Sequence, residues 1–206
     1  MSIHVVTSTP VASTSPDHLI PNGTAHDNFT SIEMIRELAA IFPNLRLLDI
    51  GCSSGQFVSD CLAENYLAVG LEGSDYSLIR KRPQWDRLAG INLFTCDVSQ
   101  PFSIEQNTTQ IVFNVVTTWD VLEHIPLKDL PQVMSNIHKH LEPNGIFIGT
   151  VSVAADPPWH QTVMAREKWI TDIFSPLFTI SPYPFTHTVR PSATVADSFH
   201  FMATPI

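Results

Sequence analysis

Positive charge is scarce in this chain of 206 residues: 11 Lys and Arg stand against 20 Asp and Glu, a net charge of −9. An acidic surface repels phosphate backbones, so nucleic acid is not an expected partner. The only basic cluster, Arg80-Lys81-Arg82, is too short to make a stripe. Cysteine is limited to Cys52, Cys61 and Cys96, which lack metal-ligand spacing and read as reduced, buried thiols. Long apolar runs are missing, so no membrane span is expected. The N-terminus lacks a basic patch followed by an apolar stretch, and no secretory signal is expected. The sequons at Asn22, Asn28 and Asn107 therefore carry no weight, and the expected location is the cytoplasm.

The residues present suit one soluble domain with a full core: 44% are hydrophobic and only 15% charged. Residues 1–17, rich in Ser, Thr and Pro, read as a flexible segment, and 18–206 as a single domain. Residues 18–29 are polar and precede the core, which suits a lid over a bound ligand. Thr30 and Glu33 fit a capping box for a helix carrying Ile35, Leu38, Ala39 and Phe42 on one face, and Pro43-Asn44 stops it. Strands are expected near 46–50, 67–72, 91–96, 111–118 and 146–152, and helices near 56–65, 75–82, 129–141 and 165–174. Two further extended segments, near 177–185 and 197–204, have no helix between them. The alternation predicts an α/β, Rossmann-like fold with helices on both faces. Its seven-stranded sheet is mostly parallel, and the closing pair makes one strand antiparallel.

The most informative segment is Leu47–Phe57, LLDIGCSSGQF. A strand ends in a small-residue turn, Gly51-Cys52-Ser53-Ser54-Gly55, and a helical pattern follows at once. Such a turn lets a ligand approach the backbone, with the next helix offering free N–H groups. Asp49 lies just inside the strand end, and the second strand closes in another acid, Glu72. This is the layout of a nucleoside-binding β-α-β unit.

These residues resemble the class I S-adenosylmethionine-dependent methyltransferases over roughly 30–204. That family's acid-x-Gly-x-Gly-x-Gly pattern stands here as Asp49-Ile-Gly51-Cys-Ser53-Ser-Gly55, with Ser53 replacing the middle glycine. Four further matches follow in order: Gly70-Leu-Glu72-Gly73-Ser74, Thr95-Cys-Asp97-Val98, Thr118-Trp119-Asp120-Val-Leu-Glu123-His124, and Leu141-Glu-Pro-Asn-Gly145. The resemblance implies S-adenosylmethionine as methyl donor and S-adenosylhomocysteine as product. It implies a donor site made by Asp49, Gly51, Cys52, Ser53, Gly55, Glu72, Gly73, Ser74, Asp97, Val98 and Trp119. Within it, Glu72 takes the ribose hydroxyls, Asp97 the adenine amino group, Val98 the ring through its N–H, and Asp49 the methionyl end.

The chemistry-bearing residues beyond the donor are His160, in Asp156-Pro-Pro-Trp159-His160-Gln161, and His124. Histidine titrates near neutrality, which suits removal of a proton from a hydroxyl, and His160 is the preferred base. Asp120, Glu123 and His124 are similar to the metal-associated cluster of ubiquinone-biosynthesis O-methyltransferases. Glu-His at this position also occurs without metal, and no metal is the favoured reading. Small size and acidity point to a small-molecule acceptor, and the histidines near the pocket favour an oxygen nucleophile over an amine, in a monomer or homodimer. The stretch Trp159–Val163 with Lys168-Trp169 is similar to methyltransferases of glycan or secondary-metabolite pathways. An NAD-dependent oxidoreductase would share Glu72, but it calls for Gly-x-Gly-x-x-Gly, and position 56 is Gln. A non-catalytic methyltransferase-like binding protein would have lost donor-site acids that stand here.

Overall fold

A computed structural model describes residues 2–25, 31–189 and 197–206. The chain opens with β1 (Ile3–Thr7) and a short α1 (Pro16–Leu19), capped by Ser15 with proline at its first position. Next come α2 (Ile32–Ile41), β2 (Arg46–Ile50), α3 (Gln56–Ala63) and β3 (Leu67–Glu72). The region expected as one helix at 75–82 divides into α4 (Tyr76–Ile79) and α5 (Pro83–Leu88). Pro83 causes the break, since it cannot donate into a preceding turn but fits the start of a new one. The short β4 (Leu93–Thr95) follows, then β5 (Phe102–Gln106), β6 (Thr109–Gln110) and β7 (Phe113–Trp119). The chain closes with α6 (Leu130–His140), β8 (Leu141–Ser152), α7 (Arg166–Lys168), β9 (Phe178–Ser181) and β10 (Ser198–Pro205).

Seven strands form one sheet in the order β4-β3-β2-β7-β8-β10-β9. Only β10 runs against its neighbours, pairing antiparallel with both β8 and β9, as the sequence pattern predicts. Alternation along β2 sends Leu47 to one face and Leu48 to the other. Leu47 packs with Met34, Ile35 and Leu38 of α2 and Phe57 of α3. Leu48 packs with Val133 and Ile137 of α6 and with Trp169 and Phe174. Both faces are thus covered, which is what fully buried parallel strands require.

Three local expectations need correction. Residues 3–7, expected to be flexible, instead pair antiparallel with β5, and β5 pairs with β6 to complete a second, three-stranded sheet. Alternating Ile3 and Val5 supply the apolar side of that strand, and both pack on the main core. The expected helix at 165–174 is one turn of α-helix, α7, followed by a π-helix, Trp169–Phe174. The helix at 32–41 is capped by Ser31, whose Oγ accepts from Met34 N at 3.1 Å. Thr30 lies outside the described residues, as does the part of the expected lid at 26–29. Among the described residues, no helix is long and apolar enough to cross a membrane.

Candidate active site

The carboxyl ends of β2, β3, β4 and β7 border a cavity of about 540 Å³. This is where open α/β sheets receive ligands, at the reversal of strand order beside the first βα unit. The turn after β2 bends sharply there. Gly51 and Gly55 both adopt φ +76°, and Ser53 adopts φ +45°. A Cβ on Gly51 would lie 2.3 Å from Val121 Cγ2, so the turn and the loop after β7 meet at a contact only glycine permits. Ser53 tolerates the left-handed conformation because its groups are held. Its N–H donates to Glu72 Oε2 at 2.7 Å, its carbonyl accepts from Trp85 Nε1 at 2.7 Å, and its Oγ donates to Thr24 O at 3.2 Å.

Glu72 is buried at the end of β3, and its other oxygen accepts from Ser74 N at 3.1 Å. A carboxylate offers about four lone-pair positions, so two backbone donors orient it without exhausting it. Burial lifts the Glu72 carboxyl above its usual range; the Ser74 and Ser53 N–H groups oppose this, and the charge of Asp17 adds to it. Gly73, Ser74, Asp97 and Val98 line the same end of the cavity. Asp97 Oδ1 accepts from Ser99 N at 3.0 Å and Ser99 Oγ at 2.6 Å. Trp119 lines the opposite stretch, edge-on to Phe57, and its indole N–H has no partner among the described residues.

Three of the expected donor-site residues stand behind the cavity wall. Asp49 is buried, accepts from Thr117 Oγ1 at 2.7 Å, and does not line the cavity. Burial raises its carboxyl to about 7; the Thr117 bond lowers it and the charge of Glu72 raises it. Cys52 packs beneath the turn against Gly70, and burial pushes its thiol up. Gly55 starts α3 facing Leu93.

Beyond Trp119 the loop after β7 carries the polar groups. Asp120 borders the cavity but is tied to β8, where its Oδ1 accepts from Thr150 Oγ1 at 2.5 Å. Glu123 is 0% exposed yet borders the cavity. Its Oε1 accepts from Ser152 N at 2.8 Å, and its Oε2 has no partner among the described residues. Burial and the charge of Asp120 raise its carboxyl to about 7, against the pull of His124. The His124 ring stands edge-on to His160 at 4.9 Å between centroids. Burial alone would push His124 down, but its hydrogen bond to Asp17 and the charges of Glu123, Asp17 and Asp120 carry it up. His160 is fixed by Ala154 O, 2.6 Å from its Nδ1.

Glu123, His124 and His160 therefore converge, while Asp120 separates from the cluster expected with it. One ligand-type atom from each of the three lies within 4.8 Å of the other two. Sequence reasoning missed Asp17, which had been assigned to a flexible segment. The signal was present: Ser15-Pro16 is a helix-start signature, and it sets the residue after it over the cavity. Seven carboxylates line the cavity, from Asp17 to Asp156, and no lysine or arginine does among the described residues.

A family model described as a methyltransferase domain matches residues 25–183. No curated protein sequence matches the chain. Among solved structures, the PH0226 protein of Pyrococcus horikoshii OT3 is 16% identical with a TM-score of 0.58, over 98% of this chain and 97% of that one. A glycopeptide N-methyltransferase, MtfA, complexed with sinefungin is 16% identical with a TM-score of 0.58, over 90% of this chain and 94% of that one. An S-adenosylmethionine-dependent methyltransferase of Clostridium acetobutylicum is 12% identical with a TM-score of 0.58, over 84% and 89%. These likenesses bear on the fold, and the family match supplies the rest. The chain belongs to the methyltransferase-domain family and has the class I S-adenosylmethionine-dependent methyltransferase fold.

Proposed function

We propose that this chain transfers the methyl group of S-adenosylmethionine to an oxygen of a small-molecule acceptor, with His160 taking up the acceptor's proton. The observation that carries the reading is the hold on His160. Its Nδ1 lies against Ala154 O, so the neutral ring donates there and keeps its Nε2 lone pair for a proton. The donor brings a positively charged sulfur that leaves as a neutral thioether. The chain's own contribution is alignment, which is worth most when reacting groups are held near contact.

Glu72, oriented by Ser53 and Ser74, would accept the ribose hydroxyls on its remaining lone pairs. Asp97 would receive the adenine amino group, with Val98 N–H facing the ring and Gly73 and Ser74 beside the adenosine. Gly51 and Ser53 would back the methionyl chain, and Trp119 would flank the sulfonium. Asp49, Cys52 and Gly55 act from behind, holding the turn in shape. The segment Ala12–Thr24 would cover the donor as a lid, since Asp17, Gly23 and Thr24 line the cavity from the outside.

A second reading, methylation of a small amine, is favoured by the ring of carboxylates. An acidic wall with no lysine or arginine among the described residues disfavours phosphate or carboxylate acceptors and accommodates neutral or cationic ones. The test has two stages. S-adenosylhomocysteine should raise the melting temperature and NAD should not; the reverse would reject the assignment. Labelled S-adenosylmethionine is then offered with small hydroxyl and small amine acceptors. His160→Ala should lower turnover on hydroxyls by about a hundredfold, the scale of general-base loss. Unchanged turnover would remove His160 from the role.

A further inference from the structure

We infer that Glu123, His124 and His160 form a binding site for one divalent transition cation, of the zinc or manganese kind. The inference goes beyond the function proposed above, since it gives His160 another role, and rests on it for the position of the acceptor. Three independent features of the cluster support it.

The first is an orphaned oxygen. Glu123 is 0% exposed and its Oε1 is satisfied by Ser152 N, while Oε2 is buried with no partner among the described residues. A buried carboxylate oxygen left without a partner is costly unless something outside the protein meets it. A cation does so, and it also compensates the crowding of negative charge that Asp17, Asp120 and Glu123 create.

The second is the tautomer of both rings. His124 Nδ1 lies 2.7 Å from Asp17 Oδ2, and His160 Nδ1 lies 2.6 Å from Ala154 O. Each Nδ1–H is thereby engaged by an oxygen acceptor, leaving Nε2 as the lone-pair nitrogen. Metal-bound histidines characteristically show this arrangement, with a carboxylate or carbonyl on the nitrogen away from the metal.

The third is proximity. One ligand-type atom from each residue lies within 4.8 Å of the others. Ligands about 2.1 Å from a common cation stand roughly 3–3.5 Å apart, so closure by roughly an ångström completes the site. Two imidazoles and one carboxylate suit zinc, manganese or iron better than magnesium, which prefers oxygen and water. Three protein ligands leave coordination positions open toward the cavity. An acceptor hydroxyl bound there loses its O–H proton to solvent water. Its oxygen then forms the new O–CH3 bond as the S–CH3 bond breaks, and the sulfur keeps the bonding pair. In this state His160 is a ligand, and the cation replaces it as the means of activating the hydroxyl.

Calorimetric titration of chelator-treated full-length protein with zinc, and separately with manganese, tests the site. The expected result is one cation per chain, with affinity falling at least tenfold in both Glu123→Gln and His160→Ala and unchanged in His4→Ala. If Glu123→Gln does not fold, His160→Ala decides alone, since its residue lies on a loop. Absence of binding at millimolar zinc and manganese, or affinity unchanged in His160→Ala, overturns the inference. S-adenosylhomocysteine binding is measured on the same samples without metal. Its loss in the unaltered protein rejects the methyltransferase reading and leaves the metal isotherm as a separate result.

Discussion

Asp17 Oδ2 stands 2.7 Å from Nδ1 of His124, across 107 positions of sequence. This contact joins α1, near the start of the chain, to the loop after β7 at the edge of the cavity that both line. Trp159 Nε1 donates to Ile20 O at 2.9 Å and ties the same N-terminal segment to the loop that carries His160.

Asp17→Ala should therefore slow methyl transfer more than it weakens donor binding. The change removes a charge-assisted hydrogen bond that fixes the ring of His124. Turnover is expected to fall about tenfold or more, the usual scale for a residue that orients another. Isothermal titration with S-adenosylhomocysteine should give a nearly unchanged Kd. If instead Kd rises in step with the loss of turnover, Asp17 serves as a cover and does not position His124.

Glu72→Gln is the sharper probe of donor recognition, because Gln keeps an acceptor for one backbone N–H but loses the charge. A hydrogen bond to a charged acceptor contributes about 1.5–3 kcal/mol. Donor affinity should fall by roughly ten- to a hundredfold. Glu72→Ala should cost more, because it also releases Ser53 N and Ser74 N from their acceptors. Donor affinity within twofold of the original in both variants would disprove the ribose role.

The fold and the part of the cavity built by the ends of β2, β3 and β4 were legible because both rest on local pattern. The strand–turn–helix at Asp49–Gln56 and the acids ending β3 and β4 are written in short contiguous segments. The part lined by Asp17, Glu123, His124 and His160 was not, because it depends on contacts between remote parts of the chain. Asp17 reads as part of a polar tail until α1 packs across the cavity. Asp120 and Glu123 are three residues apart and look like partners. With a φ of +52°, Asp120 bonds the hydroxyl of Thr150 instead, and it is His160 that approaches Glu123 and His124. The β1–β5–β6 sheet was missed for the same reason: β1 has no local partner and is held by pairing with residues 102–106 and by packing of Ile3 and Val5 on the main core.

Asp49 gives a pH dependence with a definite sign. Burial raises its carboxyl from 3.8 to about 7 in the folded protein. Between roughly pH 4 and 7 the folded state keeps a proton that the unfolded chain has released. Stability from this group is therefore present at low pH and is lost as pH rises through that window. Asp49→Asn preserves an acceptor for Thr117 Oγ1 and carries no charge. Relative to the unaltered protein, it should gain stability between pH 5 and pH 8, on the order of 1–4 kcal/mol. Urea unfolding at the two pH values measures the difference. A difference that does not change with pH would show that Asp49 is ionised at little cost.

Gly51→Ala should damage the donor site through two separable effects. The φ of +76° puts an alanine in a left-handed conformation, which costs about 1–2 kcal/mol. The new methyl group would also meet Val121 Cγ2 at 2.3 Å, forcing the turn and the loop after β7 apart. Donor affinity should fall at least tenfold, because Gly51 and Val121 both line the cavity. Val121→Ala added to Gly51→Ala removes the colliding methyl groups and leaves the backbone cost. The double variant should therefore bind S-adenosylhomocysteine more tightly than Gly51→Ala alone, while Val121→Ala by itself gains nothing. Such non-additivity is the signature of two residues in contact. Simple additivity would mean that backbone strain alone accounts for the loss, and that the approach of these two loops does not shape the donor site.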